Sequence, residues 1–355
     1  QCNISEGDPS VLVNQNLWFL ALNRTMFSTS TQVKYWMFEN EDAINERRIR
    51  ANSSYLENLS DKERHNEVFL NLLLNAAEEK LVVCQYEYHL RDFCRKFSPP
   101  MPKSVVGTSF HYFKRFYLDN SVMKYHPKEI LVTCVYLACK VEEFNVSINH
   151  FTANIKGDRQ KAESIILSTE LLLMQQLKYH LTVHNPYRAV EGLLIDIKTR
   201  CDSIKDPEEL RPYIDDFLDK IFLTDACLIY SPSQIALAGI LYAASRIQQN
   251  LDLYVTKTLL GKYMSENLNN LVGTVKAIRF MVKSIEPPSK EQFKLVEKRL
   301  EKIQKMDSNS ESQAFQKKVK EILDEDFMGE NYAQIAEERK RQEESLLRIN
   351  MPESP

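Results

Sequence analysis

With 355 residues, of which 43% are hydrophobic, the chain can bury a sizeable core and has room for about two domains of ordinary size. Only 8 residues are glycine, which is sparse for tight-turned sheets or phosphate-cradling loops, and an all-α architecture is expected. The net charge of −3 gives no general electrostatic drive toward nucleic acid, and no run approaches the ~18 apolar residues of a membrane helix. The 7 cysteines are odd in number and contain no C-x-x-C pair. They read as reduced, mostly buried thiols of an intracellular protein rather than as a disulfide framework or zinc site.

The chain starts at Gln1, and the apolar run at 11–22 is split by Asn14, Gln15 and Asn16 and preceded by Glu6 and Asp8, which is not a secretory pattern. Met26 is the expected natural start, with 1–25 a leader or non-native extension. The sequons at Asn3, Asn23, Asn52, Asn58 and Asn145 are then chance matches. An N-terminal segment, 26–77, carries a helix at about 41–58. It opens at Asn40-Glu41-Asp42, a cap residue followed by acids, and includes Ala43, Ile44, Arg47, Arg48 and Arg50. Further helices are expected at 78–97, ended by Pro99, Pro100 and Pro102, and at 104–118. After His126-Pro127, the segment 130–141 is apolar nearly all round and reads as a buried central helix. Helices near 148–155 and 160–177 complete a five-helix unit.

Shifting the chain by 105 residues superposes it on itself: Pro127 falls on Pro232, Ile130 on Ile235, Val135 on Ile240 and Ala138 on Ala243. The preceding helix matches without a gap, Tyr112, Phe113 and Phe116 falling on Phe217, Leu218 and Ile221. Two tandem five-helix domains follow, 78–183 and 184–285, flanked by N- and C-terminal helices. The charged tail, 286–355, carries Phe293, Val296, Leu300 and Ile303 at helical spacing and is expected to dock one apolar stripe on the repeats or on a partner.

Catalytic patterns are missing: there is no G-x-G-x-x-G, no P-loop, no H-R-D and no D-F-G. His180 and His184 lie four residues apart, but Pro186 stops the helix and no further ligand stands at metal-site spacing. They read as helix-end histidines. No metal or cofactor is expected.

The tract Tyr112-Phe113-Lys114-Arg115-Phe116-Tyr117, followed by Leu137-Ala138-Cys139-Lys140-Val141-Glu142-Glu143-Phe144, resembles the cyclin box. The resemblance implies a non-catalytic regulatory subunit that binds and activates a protein kinase. By motif match, Lys140 and Glu170 are the pair that holds the kinase. The residues argue the same way: Lys140 ends an apolar helix and Glu170 interrupts the apolar run 165–173. Both are expected to be buried, and buried charges persist only when paired and hydrogen-bonded. The shift of 105 puts Ser245 and Val275 in their places, so the first repeat is expected to make the main kinase contact. Val141, Glu143, Phe144 and Phe151 are candidate contacts on the same surface.

Longer strings, among them Tyr117-Leu118-Asp119-Asn120-Ser121-Val122-Met123 and Val183-His184-Asn185-Pro186-Tyr187-Arg188, resemble the cyclin H branch of that family. That likeness implies as partners the cyclin-dependent kinase of the CDK-activating complex, its RING-finger assembly subunit and the core of transcription factor IIH. It also implies a nuclear location, with no direct nucleic acid or membrane contact. Arg47, Arg48 and Arg50 become candidates for accessory contacts. Cell-cycle cyclins differ: their M-R-A-I-L tract is missing from 83–94, and Lys114 stands where they commonly carry an aspartate. The alternatives are a cyclin C-like transcriptional cyclin, which shares the tract at 112–117, and a promoter-binding protein like transcription factor IIB. The latter usually brings basic faces and an N-terminal zinc ribbon.

Overall fold

A computed structural model describes residues 26–307 except 202, 203, 205 and 260–263. The expected extension at 1–25 and the tail from 308 lie outside the described residues. Every regular element described is helical, and the residue before most helices explains where they begin. Ser30 and Asn40 accept hydrogen bonds from Val33 and Ala43 N–H and start α1 (Thr31–Trp36) and α2 (Glu41–Glu57). Two four-residue turns, Asp61–Arg64 and Glu67–Leu70, follow on the caps Ser60 and Asn66. A reciprocal Asn75–Glu78 capping box opens α3 (Ala76–Lys96). Then come α4 (Lys103–Asp119), α5 (Pro127–Val141), α6 (Ile148–Ala153) and α7 (Arg159–Gln176). The second series is α8 (Pro186–Arg200), α9 (Arg211–Ile221), α10 (Pro232–Arg246), a π-helical turn (Tyr254–Leu259) and α11 (Met264–Lys283). The last described helix is α12 (Lys290–Asp307).

The two series are copies. Helices α5 and α10 are both 15 residues long and both start on the proline that the shift of 105 superposes, where a missing N–H costs nothing. Each is the hub of its repeat: α5 packs against α3, α4 and α7, and α10 against α8, α9 and α11. Each also ends alike. Glu143 (φ 57°) and Gln248 (φ 59°) take the left-handed conformation, and the next residue's N–H returns to the carbonyl of Cys139 or Ala244 at 2.9 Å. Ile130, Cys134, Val135, Leu137 and Ala138 of α5, and Ile235, Leu237, Ile240 and Ala243 of α10, are buried. Each large aliphatic side chain so placed contributes about 1.5–3 kcal/mol.

The repeats meet where Phe110 stacks on Phe222 at 5.6 Å, and Gly107 is required there because a Cβ would collide with the Asn185 side chain. The N-terminal helices strap this junction. Gln32 exchanges hydrogen bonds with the His184 backbone, and Trp36 Nε1 donates to His180 Nδ1 at 3.1 Å. Arg47 pairs with Asp119 of the first repeat at 2.6 Å, and Arg48 grips Asp225 of the second through two bonds of 2.7 and 2.8 Å.

Beneath Arg48 lies a buried charge cluster. Lys114 Nζ is 2.7 Å from Glu87 and 3.5 Å from Asp225. Burial pushes the Asp225 carboxyl up, yet Arg48 and Lys114 outweigh it and hold it well below the usual carboxylate range. Burial likewise opposes the charge on Lys114, but Glu87 and Asp225 keep it above its ordinary range. Cys94, Cys134, Cys139 and Cys227 are buried free thiols. At the start of α12, Phe293 meets Tyr86 at 6.0 Å, and Arg299 bonds Glu78 and the Leu72 and Leu73 carbonyls.

Candidate functional site

The last turn of α5 carries Lys140 clear of the first-repeat core. Its ammonium sits 4.8 Å above the Tyr136 ring and 2.9 Å from the Glu170 carboxylate on α7. The expectation that both charges are buried is corrected: the Lys140 side chain is 48% exposed and only Glu170, at 14%, is mostly covered. The cause is local. A lysine at a helix end lays its stem over an aromatic ring and keeps its head in water. The lysine is therefore aimed by two contacts, Tyr136 beneath and Glu170 beside, while its side chain stays about half exposed.

The run 165–173 is not a core stripe either. Ile166 and Leu173 face inward, whereas Leu167 and Leu171 are 51% and 52% exposed. Leu167, Glu170 and Leu171 stand at i, i+3 and i+4, so one outer face of α7 presents two bare leucines around a carboxylate tied to Lys140. Val141 and Phe144 are partly exposed, and Glu143 is exposed, at the end of α5 and the turn after it. A surface of this composition, apolar with an oriented charge pair at its centre, suits a protein partner's main-chain groups and apolar side chains.

In the second repeat the charge pair is missing: its places are taken by an exposed serine and a buried valine. The Ser245 hydroxyl turns back to the Leu241 carbonyl at 2.8 Å, and Val275 is buried. Among the described residues the Lys140–Glu170 pairing has no counterpart in the second repeat.

Two family models match this chain: the cyclin N-terminal domain over residues 89–182 and the cyclin C-terminal domain over residues 185–283. Cyclin-H of Xenopus laevis is 46% identical over 281 residues, 78% of this chain and 86% of that protein. The chain belongs to the cyclin family. Cyclin-H1-1 of Arabidopsis thaliana is 34% identical over 232 residues, covering 64% of this chain and 67% of that one. Among solved structures, a chain of the CAK complex of Chaetomium thermophilum bound to ATP-γ-S matches with TM-score 0.63 and 26% identity, over 78% of this cyclin and 88% of that chain. A chain of the yeast TFIIK (Kin28/Ccl1/Tfb3) complex matches with TM-score 0.56 and 25% identity, over 71% and 98%.

Other residues expected at the cyclin's contact surface lie elsewhere. Phe151 is wholly buried, packed on Phe93, Phe97 and Tyr136, because its six-residue helix α6 closes the floor of the first repeat. It is a core residue. Arg47 and Arg48 are also spent inside the molecule, on Asp119 and Asp225, and only Arg50 projects into solvent, 4.0 Å from Glu46. Sequence reasoning missed Leu167 and Leu171. The available signal was that α7 has apolar residues on every side, more than one inward face can use. It also missed the partners of Lys114. A lysine set among Tyr112, Phe113, Phe116 and Tyr117 announces a buried counter-charge, but not which of the distant carboxylates supplies it.

Proposed function

We propose that this cyclin is the regulatory subunit of a cyclin-dependent kinase in a CDK-activating complex, where it binds and switches on the kinase and performs no catalysis of its own. The observation that carries the reading is the Lys140–Glu170 pair of the first repeat, its lysine half open to solvent and its glutamate on the same face as the bare Leu167 and Leu171. Such a surface would grip the mobile helix of the kinase in its active orientation more tightly than in its inactive one. To move that helix from 1:99 to 99:1 requires a difference in affinity of about 10⁴-fold, roughly 5.5 kcal/mol. In the active orientation the kinase's own Lys–Glu ion pair and metal-binding Asp come into line. Val141, Glu143 and Phe144 flank the grip, and Arg50 is the remaining accessory candidate.

The similarity to Cyclin-H and to chains of CAK and TFIIK complexes supports the finer reading. On it, the further partners are a RING-finger assembly subunit and the core of transcription factor IIH, the location is the nucleus, and the outputs are phosphorylated cell-cycle kinases and the phosphorylated C-terminal domain of RNA polymerase II. The test is reconstitution: the purified chain is added to an isolated cyclin-dependent kinase of a CDK-activating complex, and phosphorylation of a polymerase-tail peptide is followed. Stimulation is expected. An unstimulated kinase, together with a salt-dependent shift of promoter DNA by the chain alone, would instead favour the promoter-binding alternative.

A further inference from the structure

Between α3 and the second repeat lies a cleft lined by Arg91 of α3, Lys220 of α9, and Lys276, Arg279, Phe280 and Lys283 of α11, and by no carboxylate. It involves neither α5 nor α7. Two of its cations are already engaged, Arg91 with Asp92 at 3.1 Å and Lys220 with Asp216 at 2.7 Å. Lys276, Arg279 and Lys283 make no ion pair among the described residues. They recur at steps of three and four along α11 and so share one face of it, with Phe280 on the same stripe and 68% exposed. Three uncompensated cations around a bare aromatic ring stand out on a chain whose net charge is −3.

The occupant must supply concentrated negative charge and an apolar group side by side. A phosphate brings nearly two charges and three acceptor oxygens, which match several converging cations better than a lone carboxylate does. Seven helical steps from Lys276 to Lys283 give the stripe a length of about 10 Å, enough for one phosphate and a neighbouring side chain but short for the extended backbone track of a nucleic acid. We infer that this cleft binds a phosphorylated peptide segment of a protein partner, with its phosphate among Lys276, Arg279 and Lys283 and an adjacent apolar side chain on Phe280. Coupled to the kinase of the preceding section, the cleft would retain substrates that already carry phosphate. That consequence rests on the kinase reading, whereas binding by the free chain does not.

The experiment is fluorescence anisotropy with the full chain and a labelled peptide bearing one phosphoserine beside a leucine. Matched peptides with serine or glutamate in its place, and a single-stranded oligonucleotide, run alongside. The phosphopeptide is expected to bind tightest, with affinity falling as salt rises. The double substitution Lys276→Glu and Arg279→Glu should weaken it roughly tenfold or more, while Lys198→Glu on exposed α8 leaves it unchanged. Circular dichroism reports whether the helices survive, and the milder pair Lys276→Gln and Lys283→Gln, at two exposed lysines, should lower affinity as well. Undiminished phosphopeptide binding by the folded variants would overturn the inference. So would tighter binding of the glutamate peptide or the oligonucleotide, or no binding of the phosphopeptide at low salt.

Discussion

Lys140 and Lys114 are both lysines in ion pairs on neighbouring helices, yet their surroundings give them opposite roles. Lys140 is half in water, where such a pair contributes at most about 1 kcal/mol to folding. Lys114 is wholly enclosed beside Glu87, and removing its charge strands that buried carboxylate, while Asp225 keeps Arg48. Lys114→Ala is therefore expected to cost about 3–5 kcal/mol and Lys140→Ala less than about 1 kcal/mol, read from urea-unfolding midpoints. Equal losses would mean that the two environments have been misjudged. Glu79 supplies a titration. It is buried, accepts a hydrogen bond from Ser121, and burial lifts its carboxyl to about 7. A carboxyl raised in the folded state gives stability that is complete below the unfolded value and lost as pH rises through the folded one. The stability of the wild-type chain relative to Glu79→Gln should thus fall by about 3 kcal/mol between roughly pH 4.5 and 8. Taking the difference between the two proteins removes the contribution of buried His111, whose pKa is lowered and whose pH dependence runs the other way. A difference that stays flat over that range would contradict the assignment.

Among the elements, α5 and α10 could be read from sequence because burial on every side leaves an unbroken apolar pattern and a proline marks each start. The turns at Asp61–Arg64 and Glu67–Leu70 could not, since four residues are too few to show a period and only their caps define them. Nor could the strapping role of α1 and α2, which depends on His180, His184, Asp119 and Asp225, all far away in the chain. Helix α7 carries a pattern with two physical meanings. Apolar residues all round read as burial, but they equally describe a helix with one face in its own core and another awaiting a partner. The double substitution Leu167→Ser and Leu171→Ser should therefore leave the melting temperature of the free chain within about 2 °C of wild type, because half-exposed leucines lose little on truncation, while weakening kinase binding. A large drop in melting temperature would show that this face is packed in the free chain.

Over the described residues, one helical plan is used twice, and only the first copy carries the Lys140–Glu170 charge pair. The duplication was legible at a shift of 105 residues, since hub helices, starting prolines and left-handed ends all keep that register. The identity of the charge pair came from resemblance to cyclins. Its exposure came only from the fold, because nothing in the local sequence says that α5 ends where the core does. The second repeat, where an exposed Ser245 and a buried Val275 replace the charge pair, is left free for other contacts. The most direct measurement is a calorimetric titration of the full chain, and of its Lys140→Ala and Glu170→Ala variants, into the cyclin-dependent kinase of a CDK-activating complex. Each truncation is expected to weaken binding by roughly 30-fold or more with the helical signal intact; wild-type affinity in both variants would contradict the docking site.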